Sequence, residues 1–379
     1  MIREVYITET NCITPIGFDV ASNIENIEKG VSGIQLHQNA SMMNVPFYAT
    51  IIKDEDLDLA FSKISLSKNY TRLEKMMILA LDPIVKKAGL ILNGRTGFIL
   101  STTKGNITAL EKNNENSAEE AYLHELAKTI SDFFGFQSEP IVVSNACVSG
   151  VLAVSLAKRL IQGDLYDSVF VAAGDEVSEF VLSGFNSFQA ISDMPCKPYS
   201  KNRKGVSLGE AAAAVLISSN KKNAKVKVIG DASINDANHI SGPSRTGEGL
   251  FRSIESALKE AKINSSQIDY ISAHGTATPF NDEMEAIAFN RLGLENTPIN
   301  SLKGFYGHTL GASGLLETVI GIQSVQENKL FASLGFDEIG VSQKINIIEK
   351  NEKKNIKYFL KTASGFGGCN TAVLFEKIN

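Results

Sequence analysis

The sequence of 379 residues has few cysteines, no excess of positive charge and no long apolar run. Its four cysteines, Cys12, Cys147, Cys196 and Cys369, form neither a Cys-x-x-Cys motif nor a Cys/His pair, which excludes a disulfide framework and a recognisable zinc site. Lys and Arg number 37 against 42 Asp and Glu, so the formal charge is −5 and we expect no nucleic-acid partner. Because no apolar run approaches the roughly 18 residues of a membrane helix, we expect no membrane association.

No signal peptide is expected, because the first four residues lead directly into a strand-like stretch at residues 5–8. The sequence therefore predicts a cytoplasmic protein with reduced cysteines, in which a special cysteine is more often reactive than structural. Hydrophobic residues make up 43% and charged residues 21%, which is typical of a soluble globular protein. The length fits two or three domains or one large α/β body.

Short apolar stretches alternate with longer helical patterns, which favours an α/β fold with largely parallel strands. A polar stretch at residues 218–225 is the clearest break near the middle of the chain. Strands are predicted at residues 98–100, 141–143, 169–173, 213–217, 270–273 and 358–362.

Two stretches repeat one pattern of a helix followed by a strand. Apolar residues at helical spacing occupy residues 77–88 and again 250–261, and an apolar strand begins nine residues after each. Pro83 lies inside the first of these helices and is expected to kink or divide it.

A second repeat lies farther along the chain. Pro-Ile pairs at residues 140–141 and 298–299 each open a strand that leads through a polar turn into an apolar helix, at residues 151–160 and 315–325. The two parts therefore look like copies of one βα plan, although βα units also resemble one another without duplication.

Cys147 lies where a strand turns sharply into a helix. Unpaired N–H groups and the helix dipole at such a position favour the thiolate, and the same N–H groups can stabilise an oxyanion. Small residues around it, such as Ala146 and Gly150, would let a substrate approach. The alternative is a buried cysteine that acts as a small hydrophobic residue, which is the more common case. The other three cysteines lack this setting.

Two histidines have surroundings that suggest a site. His274 ends an apolar strand and is followed by Asp282 and Glu285, and His308 lies in a glycine-rich segment that begins at Lys303. Ligands bind at the C-terminal ends of strands in α/β sheets, where a neutral imidazole can donate to an oxyanion or accept a proton. A structural role is the alternative for each histidine.

A glycine-rich turn at residues 364–370 follows the last predicted strand. Its glycines permit positive φ and a close backbone approach to a ligand, and Phe366 could close an apolar pocket. The alternative is a tight strand connection in which Phe366 belongs to the core.

Together these motifs make the chain resemble the β-ketoacyl-acyl-carrier-protein synthases, the condensing enzymes of fatty-acid and polyketide synthesis, and it is most similar to their elongating Cys-His-His type. The resemblance runs nearly end to end. The matching segments are the opening strand and Thr-Pro-x-Gly turn at 5–17, Lys-Pro-Tyr-Ser at 197–200 with Gly-Glu at 209–210, Asn-Ala-Cys at 145–147, His-Gly-Thr at 274–276, the Lys303 and His308 pair, and Gly-Phe-Gly-Gly at 365–368.

The resemblance implies a thiolase-like fold, in which two similar halves stack as five α-β-α-β-α layers. We expect residues 1–220 to form an N-terminal half that carries the nucleophilic cysteine. Residues 221–379 would form a C-terminal half that carries the two histidines and the lysine. The family usually forms dimers, so a homodimer is expected, or a heterodimer with a second ketosynthase-like subunit.

The resemblance also implies an acyltransferase reaction. Cys147 would take an acyl group from an acyl carrier protein, and His274 and His308 would support decarboxylation of malonyl-carrier protein, giving a 3-oxoacyl product and CO2. Lys303 would act electrostatically, held by Glu285. The family requires no metal and no organic cofactor. Asp282 and Phe366 would support the reaction. Phe366 would also gate the acyl channel and share the oxyanion hole with Cys147. The residues implied in substrate binding are Thr276, Thr278, Gly367 and Gly368.

Several positions depart from the family pattern. Lys204-Gly205-Val206 stands where an acidic residue and Phe usually flank the glycine, residues 209–212 are poorer in glycine, and Ala277 and Cys369 replace the usual small residue and Thr. These departures leave the substrate's length and saturation open, and with them the pathway, which could make a fatty acid, a polyketide or a polyene.

Alternatives to an elongating ketosynthase remain at this point. A starter-type synthase usually has His and Asn after its cysteine, and a thiolase that uses coenzyme A has a second catalytic cysteine. A chain-length-factor-like partner of another ketosynthase typically lacks the nucleophile. A cluster of basic residues is a candidate docking surface for an acidic carrier protein, or simply a solvated turn: Lys197, Lys201, Arg203 and Lys204.

Overall fold

A computed structural model describes residues 3–67, 69–111, 118–236, 238, 240 and 242–378. Within these residues the helices are α1 (Val20–Glu28), α2 (Asp54–Phe61), α3 (Arg72–Ala88), α4 (Leu123–Phe134), α5 (Ser149–Gln162), α6 (Glu179–Ser187), α7 (Glu248–Ala261), α8 (Pro279–Arg291), α9 (Lys303–Tyr306) and α10 (Ser313–Glu327). The strands are β1 (Tyr6–Ile13), β2 (Gln35–His37), β3 (Phe47–Thr50), β4 (Thr96–Ser101), β5 (Ile141–Val143), β6 (Ser168–Asp175), β7 (Leu208–Gly209), β8 (Ala211–Ser218), β9 (Val226–Asn235), β10 (Tyr270–Ser272), β11 (Pro298–Asn300), β12 (Lys329–Leu330), β13 (Asn346–Ile347), β14 (Glu352–Lys353), β15 (Tyr358–Gly365) and β16 (Cys369–Lys377).

The strand order repeats itself across a large mixed sheet. One run is β5-β4-β6-β8-β1 and the other is β9-β16-β15-β10-β11, extended by β13. Let the strands of each run be numbered along the chain. Read from its outer end to the centre of the sheet, each run then has the order 3-2-4-5-1. Equivalent pairs of strands are parallel in both runs or antiparallel in both. The runs meet where β1 pairs with β9. The predicted α/β fold and its duplication are therefore confirmed. The expectation of largely parallel strands is wrong, because the pairs in the middle of the sheet, from β6 through β8, β1, β9 and β16 to β15, are antiparallel.

Apolar residues divide the molecule into layers because alternate residues of a strand face opposite sides of a sheet. Val169 and Val171 of β6 pack into a core formed with α5 and α10, whereas Phe170 and Ala172 pack into a core with α3 and α4. Strand β15 divides in the same way between the α5/α10 core and a core with α7 and α8. The layers therefore run helix, sheet, helix, sheet, helix, as predicted.

The repeated helices form where the apolar spacing predicts them, but α3 is not divided at Pro83. Proline has no N–H for the carbonyl of Leu79, four residues earlier. The side-chain amide of Asn11 lies 3.5 Å from the Leu79 carbonyl oxygen and 3.1 Å from that of Ala80. This amide replaces the missing donor, and the expectation of a divided helix is therefore wrong.

Two glycines let the central helices approach closely. A Cβ on Gly150 of α5 would lie 2.7 Å from the carbonyl oxygen of Gly311, and one on Gly314 of α10 would lie 2.8 Å from the backbone nitrogen of Val151. The contact brings the start of α5 against the segment before α10. Among the described residues, no helix is both long and apolar enough to cross a membrane.

Candidate active site

Cys147 lies on a tight turn between β5 and α5. Ala146 has a φ of 44°, a left-handed conformation that is uncommon outside glycine. The Ser149 hydroxyl fixes this turn, because it accepts a hydrogen bond from the Asn145 N–H at 2.8 Å and donates one to the Ala146 carbonyl at 2.6 Å. The strand-turn-helix prediction for this segment is confirmed, and Cys147 lines a cavity of about 510 Å³.

The structure brings both histidines to this cysteine. His274 follows β10 and His308 follows α9. The sulfur of Cys147 and one ring nitrogen of each histidine all lie within 4.8 Å of one another, and the two imidazole rings meet at 84° with centroids 5.2 Å apart. All three residues are buried. Side chains from both repeats thus form a single site.

The backbone around His308 selects its tautomer. The N–H of Leu310 donates to Nδ1 of His308 at 3.0 Å, so Nδ1 is an acceptor and the proton of the neutral ring is on Nε2. Burial, assisted by the Lys303 ammonium, holds the pKa of His308 well below its usual range. His308 therefore offers an Nε2–H donor to the cavity.

His274 is neutral for similar reasons. Burial comes first, and the charges of Lys303, His308 and Lys361 add to it in holding the pKa of His274 well below its usual range. Its Nδ1 has no hydrogen-bond partner among the described residues. Its backbone is held on both sides, because the N–H donates to Glu285 at 2.8 Å and the carbonyl accepts from Lys303 at 2.5 Å.

The expected ion pair between Lys303 and Glu285 is wrong. Lys303 instead pairs with Glu317 of α10, at 2.7 Å. Glu285 accepts the N–H groups of His274 and Gly275, at 2.8 and 2.7 Å, so its carboxylate shapes the loop after β10. The sequence missed Glu317, although a charged residue within the apolar α10 pattern was a signal for it.

Asp282 and Glu285 together shape this loop from α8. Asp282 accepts the N–H of Thr276 at 3.0 Å and that of Tyr199 at 2.7 Å, and the Tyr199 hydroxyl donates to Glu285 at 3.0 Å. Burial, with the charge of Glu285 adding to it, raises the pKa of Asp282 to about 7. The hydroxyls of Thr276 and Thr278 lie 2.8 Å apart, and both residues line the cavity.

The resting state of Cys147 differs from the expected thiolate. Burial raises the pKa of the thiol to about 12, and the nearby Cys369 adds to this effect. The Lys303 charge and a hydrogen bond from the backbone of Phe366 lower the pKa, but by less. Cys147 is therefore a thiol, because desolvation outweighs the helix terminus.

Phe366 lines the cavity within an aromatic cluster. It stacks on Phe185 at a centroid distance of 5.5 Å and meets the edge of Phe188 at 5.4 Å. Gly367 and Gly368 have φ values of 87° and 83°, and a Cβ on Gly368 would lie 1.8 Å from the Asp236 carbonyl oxygen. Gly368 lines the cavity, and the N–H of Gly367 donates to the Ile240 carbonyl at 2.7 Å.

Cys369 also lies beside the site. Its sulfur is 3.4 Å from the Phe366 carbonyl oxygen and 3.9 Å from that of Asn145, so it contacts both turns that flank Cys147. The sequence assigned it no special setting. Its contacts depend on the packing of the turn between β15 and β16 against the β5–α5 turn, which local sequence does not reveal.

The basic cluster is largely neutralised. Lys197, Lys201 and Lys204 pair with acidic side chains at 3.0, 2.9 and 3.0 Å. The side chain of Arg203 is only 7% exposed and lies 3.6 Å from Asp282. Arg203 is therefore not available for docking. That the three lysines contact an acyl carrier protein stays a prediction.

The residues of the site determine which groups it could hold. Cysteine and histidine atoms at this spacing are also donors for soft metal ions. The ammonium group of Lys303, which reaches the carbonyl of His274, repels a cation, so we interpret the three residues as a reaction centre. That the reaction needs neither metal nor cofactor stays a prediction.

Comparison with known proteins gives a consistent result. Residues 2–223 match the N-terminal domain of beta-ketoacyl synthases and residues 226–337 their C-terminal domain. The chain is 27% identical over 439 residues to a 3-oxoacyl-[acyl-carrier-protein] synthase homolog of Saccharomyces cerevisiae (100% of this chain, 99% of the other), and 26% identical over 412 residues to 3-oxoacyl-[acyl-carrier-protein] synthase 2 of Vibrio harveyi (99% of each).

A solved structure shares the fold. A chain of the complex between a ketosynthase and its chain length factor from Xenorhabdus doucetiae superposes with a TM-score of 0.84 at 23% identity, over 99% of this chain and 98% of the other. This agreement confirms the predicted thiolase-like fold. With both family domains matched along most of its length, the chain belongs to the beta-ketoacyl synthase family.

Proposed function

We propose that the protein is a 3-oxoacyl-[acyl-carrier-protein] synthase, an acyltransferase that condenses an acyl group with malonyl-carrier protein. The observation that carries this proposal is the convergence of Cys147, His274 and His308 within 4.8 Å in one buried cavity. Both family domains support the same reaction class.

The first step transfers the acyl group. The sulfur of Cys147 attacks the carrier thioester, the carbonyl oxygen becomes an oxyanion, and the bond to the carrier sulfur breaks. The thiol proton passes to a neutral imidazole and then to the departing carrier thiolate. The N–H groups of Cys147 and Phe366 are proposed as the oxyanion donors, because the Phe366 backbone is near enough to the Cys147 thiol to lower its pKa.

The second step forms the carbon–carbon bond. Malonyl-carrier protein loses CO2, and the resulting enolate oxygen accepts hydrogen bonds from His308 Nε2–H and from His274. The enolate carbon attacks the acyl carbonyl on Cys147, the carbon–sulfur bond breaks, and the thiolate takes one proton from solvent. Two neutral donors suit this step, since an enolate oxygen is stabilised where its charge develops.

The proposed supporting roles follow from the contacts. Lys303, Glu285 and Asp282 hold the loop that carries His274, and Lys303 adds positive charge beneath the site. Phe366 is proposed to gate the acyl channel through its aromatic cluster. The remaining predicted residues are proposed to contact the substrate: Thr276, Thr278, Gly367 and Gly368. Gly367 would contribute through the shape of its turn.

We propose acyl carrier protein as the partner, because the curated relatives carry it in their names. A dimer is proposed as well, either with a second copy or with a second ketosynthase-like chain, since the Xenorhabdus ketosynthase is paired with a chain length factor. A reducing compartment such as the cytoplasm fits four cysteines that are all free. A role as a chain-length-factor-like partner is less well supported, because Cys147 and both histidines are in place.

The experiment is intact-mass analysis after incubation with acyl-carrier proteins of graded chain length. We expect one acyl adduct on Cys147, absent in Cys147→Ala. Cys12→Ala is the matched control, because Cys12 is also buried but lies in the core on β1, and this variant should acylate normally. A folded protein that accepts no acyl group from any carrier, while malonyl-carrier protein also stays intact, would contradict the proposal.

A further inference from the structure

A second buried lysine lies beneath the site. Lys361 of β15 is fully buried, and its ammonium donates to the carbonyls of Ser272 and Ala273 at 3.1 and 3.2 Å. Lys303 donates to the next carbonyl, that of His274, at 2.5 Å. Three successive carbonyls at the end of β10 are thus bound by two ammonium groups.

One carboxylate joins the two lysines. Glu317 of α10 is 2.7 Å from Lys303 through Oε1 and 2.6 Å from Lys361 through Oε2. All three side chains are at most 4% exposed. Two cations against one anion leave a formal charge of +1 in this group, inside the protein.

A buried charge is costly unless its partners compensate it. The carboxylate of Glu285, which is also buried, attracts both lysines, so positive and negative side chains together surround the end of β10. Among the described residues, the Lys361 ammonium contacts the strand end that carries His274 and the carboxylate that pairs with Lys303. The parallel pairing of β10 with β15 sets Lys361 opposite Ser272, so the ammonium is held in register with this end of the strand.

We propose that Lys361 is a positioning residue of the active site: with Lys303 and Glu317 it fixes the end of β10 and places a second positive charge near His274. The catalytic meaning of this inference depends on the proposed condensing function. The placement of the charge does not.

The consequence concerns the protonation of His274. Its Nδ1 has no hydrogen-bond partner among the described residues. The electrostatic field of the surrounding charges therefore decides whether the ring gains a proton. Lys361 is one of the charges that hold the pKa of His274 down, and a ring kept neutral can still accept a proton from Cys147. The charged or titratable groups around His274 are Cys147 from the β5–α5 turn, Asp282 and Glu285 from α8, Lys303 and His308 from α9 and its following turn, Glu317 from α10, and Lys361 from β15.

The test is a titration of His274 by NMR, with ¹³C at the Cε1 of histidine. The protein has five histidines, and the His274 signal is assigned from its loss in His274→Asn. Lys361→Met and Lys361→Gln should raise the titration midpoint of His274 by about one pH unit, because a nearby positive charge is gone. Gln keeps an N–H donor for the carbonyls, which protects the fold if Met does not.

Two further variants separate charge from structure. Lys361→Met combined with Glu317→Gln restores the net charge of +1, so the His274 midpoint should return towards the wild-type value. Lys158→Met is the matched control, because Lys158 is another buried lysine, paired with Asp231 at 2.8 Å, and lies about 16 Å along α5 from Cys147. This control should leave the midpoint unchanged.

The same variants are assayed for malonyl-carrier decarboxylation. The acidic limb of the pH profile should move to higher pH in both neutral Lys361 variants, with kcat lowered and KM little changed. A His274 midpoint that is the same in wild type and in folded Lys361 variants would overturn the inference. A wild-type protein without decarboxylation would contradict the proposed function instead, since the NMR titration does not require turnover.

Discussion

At the scale of single residues, burial sets the chemistry of this site. Cys147 rests as a thiol, and both histidines rest as neutral rings, because a charged form of any of them would be poorly solvated in the cavity. In the proposed mechanism the thiolate therefore forms together with proton transfer to an imidazole, during attack on the thioester.

Alkylation of Cys147 tests this resting state. Because its pKa is raised to about 12, the rate of reaction with iodoacetamide should still be rising with pH at pH 10, whereas a small free thiol levels off near pH 9–10. Peptide mass mapping after timed quenching gives the rate at this cysteine. A rate that levels off near pH 7 would contradict the account.

Glu176 carries a stability prediction with a defined sign. Burial raises its pKa from 4.5 to about 8, so the folded protein binds more protons than the unfolded chain between these values and loses stability as pH rises. Glu176→Gln keeps an acceptor for the Thr108 hydroxyl. The variant should gain on the order of 1–3 kcal/mol in free energy of unfolding at pH 8, and nothing near pH 4. Urea unfolding at both pH values checks this, and an equal gain at both would be inconsistent with it.

The sequence located the side chains of the site better than their partners. Cys147, His274 and His308 each lie in a local motif, so short stretches of sequence reveal them. The partner predicted for Lys303 is wrong, because the carboxylate that pairs with it comes from Glu317 on α10. Such a pairing depends on how the helices pack. The raised pKa of Cys147 was also missed, since the depth of burial follows from the whole fold.

At the scale of elements, the central helices position the site. Helices α5 and α10 start beside one another, and their close approach at Gly150 and Gly314 presents the Cys147 turn to the His308 segment. Asp175 at the end of β6 strengthens this contact, because its carboxylate accepts the N–H of Gly311 at 2.8 Å and the Thr103 hydroxyl at 2.8 Å.

A methyl group at Gly150 should disturb this contact. Gly150→Ala places a Cβ 2.7 Å from the Gly311 carbonyl oxygen, so we expect a loss of about 1–3 kcal/mol in stability and slower acylation of Cys147. Gly184→Ala is the control, since a Cβ there meets nothing within 4 Å. Thermal unfolding and the acylation rate are measured for both. Equal behaviour of the two variants would rule out the close-approach argument.

Asn11 and Pro83 form a testable pair within α3. Asn11→Ala removes the donor that serves the Leu79 carbonyl and should cost about 1–3 kcal/mol, because this carbonyl is buried against β1. In a Pro83→Ala background the backbone N–H returns, so the same change should cost less. A double-mutant cycle by urea unfolding measures the difference. Additive effects would mean that the two residues do not compensate each other.

Elements with strong local patterns were predictable, whereas two of the long antiparallel strands were not. Helices α3 and α7 and strands β4 and β10 follow from apolar spacing. Strands β9 and β16 were not predicted, because they form by pairing with each other, across a long separation in the sequence, and with β1 and β15. The division expected at Pro83 failed for a similar reason, since its compensating donor comes from another element.

At the scale of the whole molecule, the repeat explains why one site draws on distant parts of the chain. The two runs of strands have one order and meet at β1 and β9. We retain as a proposal that residues 1–220 and 221–379 are the two halves, with the nucleophile on the first and the histidines and Lys303 on the second. Because the site needs both, neither half should acylate alone.

The central claim is that Cys147, His274 and His308 form one condensing centre, and a single-turnover condensation tests it most directly. Acylated protein is mixed with malonyl-carrier protein, and the carrier-bound product is analysed by mass spectrometry. The account predicts a 3-oxoacyl-carrier protein two carbons longer than the acyl group, with release of one CO2. It also predicts that His308→Ala still takes up the acyl group but loses most of the condensation. Acylated wild-type protein that leaves malonyl-carrier protein unchanged would contradict the claim.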